Sequence, residues 1–179
     1  MMLAKAEEWI LYLEKEKKTL WQYALEREAE SGKRDRDEIR AQMEQALAVM
    51  ERSSQTARKE PVRSVSGLTG GNAWKYENYR QCGNSILGEI PSLAAAMALS
   101  CSEINASMQC IVACPTAGSC GIVPAAVLAC GKARELSREI LINGLFTASA
   151  VGMLIGSRAT LAGAEGGCQA EVGAASAMA

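Results

Sequence analysis

Charge is spread unevenly along this chain of 179 residues. Residues 1–60 hold 25 of its 39 Asp, Glu, Lys and Arg side chains, whereas from Ile140 to Ala179 only Arg158, Glu165 and Glu171 are charged. An ionised group buried without a partner costs several kcal/mol. The first third must therefore keep a face in water, and the last third must pack against something apolar. Leu3, Ala6, Ile10 and Leu13 recur at helical spacing, as do Ile39, Met43, Leu47 and Met50, with Ser31-Gly32 between the two series. These spacings predict two amphipathic helices, about 4–29 and 35–58, each with one apolar stripe and one solvated face. Pro61 ends the second.

From Ile86 the character changes. Residues 86–102, 104–114, 121–131 and 138–162 are apolar runs rich in Ala, Gly, Ser and Met, with Phe146 as their one aromatic residue. Alanine-rich sequence without alternation favours buried helices over strands. The expected fold is all-α: amphipathic N-terminal helices over 1–60, then a bundle of buried Ala/Gly-rich helices over 61–179. The 18 residues from Ile140 to Ser157 carry no charge. They include Asn143, Gly144, Thr147, Ser149, Gly152 and Gly156 and lack an aromatic belt, so a buried core helix is expected rather than a membrane span.

The formal net charge is −1, which offers no electrostatic case for nucleic acid or an anionic membrane. Seven cysteines, an odd number, follow a charged N-terminus without a basic-then-apolar leader. That pattern points to the reducing cytoplasm and to thiols or metal ligands rather than disulfides. Histidine is absent. A metal here would be held by thiolate or carboxylate, and a base would have to be another side chain.

Four stretches carry chemistry. In Ser64–Lys75, Gly70-Gly71 frees the backbone and Thr69, Asn72 and Lys75 follow closely, which suits an anion cradle or an ordinary connector. Glu103 and Asn105 place an acid and an amide inside an apolar run, on different faces of a helix. In Cys114–Gly121, Pro115, Gly118 and Gly121 make a tight turn, and Thr116 or Ser119 is placed to cap the next helix, whose start suits a carboxylate. Cys110 and Cys114 are expected on one side of a helix as buried small residues, and neither they nor Cys120 are read as metal ligands. Finally, Gly163–Gly173 brackets Cys168 with Glu165 and Glu171, either as a site or as a close helix crossing.

Together these motifs resemble the alpha chain of bacterial iron–sulfur L-serine dehydratase. Gly67–Lys75, Glu103–Ala106, Pro115–Pro124 and Gly163–Gly173 occur in that family's order, and the likeness covers nearly the whole chain. The resemblance implies a mostly helical catalytic domain, a [4Fe–4S] cluster, conversion of L-serine to pyruvate and ammonia, and an oligomeric assembly with a beta chain or beta domain. It places Cys168 as one of three cluster ligands, the other two lying downstream of Ala179. Because the sequence stops within an apolar pattern, an incomplete chain, or one completed by another polypeptide, is expected. Substrate contacts are expected from Thr69, Gly70, Gly71, Asn105, Thr116, Ala117 and Gly118. Lys75, Glu165 and Glu171 are the candidate bases. Three other readings remain beside it: an iron–sulfur eliminase acting on cysteine, a pyridoxal phosphate lyase using Lys75, and a non-catalytic partial subunit.

Overall fold

The computed structural model describes residues 6–83 and 85–179. Its helices are α1 (Ala6–Glu16), α2 (Leu20–Gly32), α3 (Arg36–Lys59), α4 (Asn72–Gln81), α5 (Glu89–Ala106), α6 (Ile122–Ala133), α7 (Arg138–Gly156), α8 (Gly163–Cys168) and α9 (Ala174–Met178). A 3-10 turn covers Ala117–Ser119 and a π turn covers Gln169–Gly173. Among the described residues there is no strand, only one isolated bridge between Arg63 and Gly70. The fold is all-α.

The first helix expected from spacing is two helices. Lys17 adopts φ 52°, and Thr19 N–H donates to Gln22 Oε1 at 2.9 Å, opening a new helix. The Thr-x-x-Gln spacing is a start signal that outweighs the run of helix formers around it. The break lets α1 fold back on α2, where Trp9 and Tyr23 meet edge to face at 4.9 Å. The expected stripe is met only in part, with Leu13 packed against the core. Ala6 and Ile10 are exposed and Trp9 is buried instead, because the aromatic contact buries more surface. Leu3 lies outside the described residues. In α3 the expected stripe holds: Ile39, Leu47 and Met50 are buried.

Helices α2 and α3 share one core with α5, α6 and α7, built around Leu47, Met97, Val123, Leu145 and Phe146. Small residues let α3 and α5 approach closely. The Ser100 hydroxyl donates to the Ser53 carbonyl at 2.6 Å and accepts the Ala57 N–H at 3.1 Å. One hydroxyl thus satisfies polar atoms that burial would otherwise leave unpaired.

Two further expectations change. Residues 107–116 are not helical. α5 ends where Met108 takes φ 60° and Gln109 N–H returns to the Ile104 carbonyl at 3.1 Å. Pro115 then disfavours a helical residue at 114. Cys110 and Cys114 therefore do not share a helix face: Cys110 is exposed and Cys114 buried. Nor is α7 buried all round. It is long and apolar enough to cross a membrane, yet only 28% of its most apolar 18-residue window is buried. Ile142, Leu145, Phe146, Ala148 and Ala150 face the core. Leu145 and Ala148, with Gly152 and Met153, also line an apolar groove of about 670 Å³ shared with Met43, Met50, Val112 and Met178.

Candidate functional site

Short contacts join the motifs in two groups, the Ser64–Lys75 loop with Glu103 of α5, and the Cys114–Gly121 turn with Asn105 and Glu171. On α5, Glu103 is buried and its Oε1 accepts the backbone N–H of Asn72 at 2.5 Å and of Ala73 at 3.3 Å. A carboxylate at a helix start satisfies free N–H groups and complements the dipole. Glu103 Oε2 is buried with no hydrogen-bond partner. This cap fixes the Ser64–Lys75 loop against α5, and Val65 N–H adds a bond to the Ala106 carbonyl at 3.1 Å. The donors of the loop point inward: Thr69 N–H to Ser64 Oγ at 3.2 Å, and Gly71 N–H to the Val62 carbonyl at 3.0 Å. Gly70, at φ 132°, has the backbone of Val62 and Arg63 where a side chain would lie. Lys75 is exposed on α4.

Two residues beyond Glu103, Asn105 Nδ2 donates to the Ala117 carbonyl at 3.0 Å. That bond ties α5 to the Cys114–Gly121 turn. Within the turn the Thr116 and Ser119 hydroxyls lie 3.1 Å apart. They brace the 3-10 turn, and α6 itself starts from Gly121. Ala117 and Gly118 are exposed at the tip.

Gly118 in turn meets Glu171. A methyl built on Gly118 would lie 3.0 Å from Glu171 Oε2, and one built on Gly163 would lie 2.9 Å from the same oxygen. Glu171 sits mid-way along the π turn, half-buried. Single π turns inside helices often mark functional sites because they redirect a side chain. Gly167, at φ 66° and ψ −167°, occupies a conformation open essentially to glycine alone and kinks the chain just before Cys168. Cys168 is exposed. Glu165, on the other side of it, is also exposed and accepts the Thr160 hydroxyl at 2.6 Å. The two acids are thus not equivalent, although each stands three positions from Cys168 in sequence.

The remaining thiols divide by burial. Cys101, Cys114 and Cys120 are buried; Cys82, Cys110 and Cys130 are exposed. Burial pushes the Cys101 thiol up to about 11 and the Cys114 thiol up to about 12, and it raises Cys120. Each is a neutral thiol near pH 7, and the thiolate is the metal-binding form. Among the described residues no three Cys, Asp or Glu side chains converge on a point that could hold a metal. Cys168 is thus one of four exposed thiols among the described residues. The described residues do not present a complete cluster site.

Sequence spacing missed the Glu103 cap and the Gly163–Glu171 contact. Its one signal for the first was an acid isolated in an apolar run. For the second it was the crowding of glycines.

What these elements define is an all-helical protein in which glycine turns bring an amide, Asn105, and an acid, Glu171, to the Ala117–Gly118 turn. A family model described as "Serine dehydratase alpha chain" matches residues 15–179. The chain is 43% identical over 152 residues to the probable L-serine dehydratase, alpha chain, of Bacillus subtilis (strain 168), covering 85% of this chain and 50% of that protein. It is 40% identical over 160 residues to the L-serine dehydratase, alpha chain, of Peptoniphilus asaccharolyticus, covering 89% and 55%. It is 45% identical over 83 residues to L-serine dehydratase 2 of Escherichia coli (strain K12), covering 46% and 18%. No solved structure matches it at a significant level. The chain belongs to the serine dehydratase alpha chain family, and it spans about half the length of the first two relatives.

Proposed function

We propose that this chain carries the amino-acid-binding part of an L-serine dehydratase, a lyase that converts L-serine to pyruvate and ammonia. One observation carries the reading. Asn105, Ala117, Gly118 and Glu171, from stretches far apart in sequence, meet at the tip of the Cys114–Gly121 turn. Membership of the family supplies the substrate.

Loss of water from serine requires removal of the Cα proton and help for a poor leaving group at Cβ. The chain's own contribution is positional. Asn105 holds the Ala117 carbonyl, which presents Thr116 and Gly118 at the tip of a braced turn. The Gly70-Gly71 loop is held by Glu103 on the far side of α5. We propose a [4Fe–4S] cluster as the cofactor, with Cys168 as one ligand and the others from polypeptide outside these 179 residues. Such a cluster supplies an open iron as Lewis acid for the serine hydroxyl. We also propose a second polypeptide, a beta chain or domain, as partner, in keeping with the "alpha chain" names of the relatives. A cytoplasmic setting fits an oxygen-sensitive cofactor and seven unpaired thiols.

The test is anaerobic purification of the full assembly, with iron and sulfide analysis and assay of pyruvate and ammonia from L-serine. Stoichiometric cluster and serine turnover, both lost in Cys168→Ser, are expected. An iron-free assembly that still deaminates serine would overturn the cofactor. An iron-loaded assembly inert to serine but active on cysteine would overturn the substrate.

A further inference from the structure

The carboxylate of Glu171 has no hydrogen bond or ion pair among the described residues. It is half-buried, held mid-way along a π turn, and flanked by two glycines whose missing side chains make its space. Each neighbouring acid has at least one hydrogen-bonded oxygen, although Glu103 Oε2 is buried without a partner. Glu165 accepts from Thr160, and Glu103 caps α4. A partly desolvated carboxylate lacking a donor gains most from a cation, and the strongest contacts it can make are charge-assisted. The amino acid substrate carries one such cation, its α-ammonium.

We propose that Glu171 is the residue that receives the substrate's α-ammonium group. The proposal rests on the serine reading above and deepens it. The geometry fits this role on two counts. Gly118 stands on the same turn tip as Thr116 and Ala117, so an ammonium on Glu171 would lie directly beside the Ala117–Gly118 backbone. In addition, Gly118 and Gly163 border the carboxylate closely: a Cβ on Gly118 would lie 3.0 Å from Oε2 and one on Gly163 2.9 Å, so a methyl on either shifts the carboxylate aside. The glycines thus set where the charge stands, and the π turn sets its direction. The site selects amino acids over the corresponding deaminated acids.

The experiment compares L-serine with 3-hydroxypropanoate, the same molecule without its amino group. Binding is measured by calorimetry and by inhibition of turnover on the full assembly, in wild type, Glu171→Gln and Gly118→Ala. Glu171→Gln is expected to weaken L-serine by about 10- to 100-fold, the loss of one charge-assisted contact, while 3-hydroxypropanoate changes less than about twofold. Gly118→Ala keeps the charge but displaces it, and is expected to shift the same ratio in the same direction. It carries the test if Glu171→Gln fails to fold. Equal loss for both ligands, or no loss, overturns the ammonium site, and serine turnover by wild type then leaves the proposed function standing. A wild type that prefers the amino compound through Glu171 yet turns over no serine keeps the ammonium site and sinks the serine reading. A wild type that binds neither compound overturns both.

Discussion

Glu103 on α5 accepts the backbone N–H of Asn72, the first residue of α4, at 2.5 Å, across 31 positions of sequence. Removing this side chain leaves two N–H groups at a helix start without their acceptor, while shortening it also empties a buried space. Glu103→Ala is therefore expected to lower stability by about 1–3 kcal/mol. Glu103→Gln keeps one acceptor oxygen and places a donor where Oε2 now has no partner, so its loss should be smaller. Urea unfolding measures both, and equal losses would show that Glu103 acts through its negative charge rather than through its volume or a neutral acceptor oxygen.

Glu77 joins α3 to α4 by accepting from Arg58 at 3.0 Å and from Arg80 at 2.7 Å. Burial alone would push its carboxyl up, but hydrogen bonds from Arg80, Arg58 and Gln81 outweigh that and bring it down to about 2. The folded value lies below the ordinary 4.5. The stabilisation is accordingly complete above about pH 4.5 and lost as pH falls from there toward 2, on the order of 3 kcal/mol in all. Stability measured against pH should fall more steeply in wild type than in Glu77→Gln over that window. Parallel curves would remove Glu77 from the account.

Two glycines with opposite surroundings give opposite expectations. A methyl on Gly121 would lie 2.6 Å from the Ala98 carbonyl oxygen, a backbone atom that cannot turn aside. Gly121→Ala should cost about 1–3 kcal/mol. Gly144, inside α7, has nothing within 4 Å of the same position. Gly144→Ala should add about 0.5–1 kcal/mol by removing chain freedom from the unfolded state and improving helix propensity. Thermal unfolding of the two variants distinguishes them by sign.

Thiol alkylation at pH 8 should divide the seven cysteines. Cys82, Cys110, Cys130 and Cys168 are exposed and should react in the native protein without cluster. Cys101, Cys114 and Cys120 are buried with raised pKa and should react only after denaturation. In the iron-loaded assembly Cys168 alone should pass from reactive to protected. Peptide mass spectrometry reads every position, and a Cys168 equally reactive with and without iron would exclude it as a ligand.

Local features were legible in the sequence because each lies within a turn or two of chain. The all-helical class followed from alanine-rich runs and from the Ile39–Met50 stripe. The glycine turns announced themselves, as did Cys168 between two acids. Even the break at Lys17–Thr19 left a readable signal in Thr19 and Gln22. The direction of each acid was not legible. Glu165 and Glu171 stand symmetrically about Cys168 in sequence, yet one is exposed and satisfied by Thr160 while the other is half-buried and unpaired between Gly118 and Gly163. Likewise the N–H groups of Asn72 and Ala73 read as donors for a ligand until Glu103 is found on them.

The sequence by itself determined the helical character, the division into a charged third and an apolar remainder, and the residue types gathered for chemistry. Tertiary structure alone decided which of those residues are already satisfied and which is left open. The reason is physical: helix formation and turn chemistry depend on neighbours a few residues away, whereas Glu103 meets its donor on Asn72 across 31 positions, and no periodicity in the chain encodes that distance.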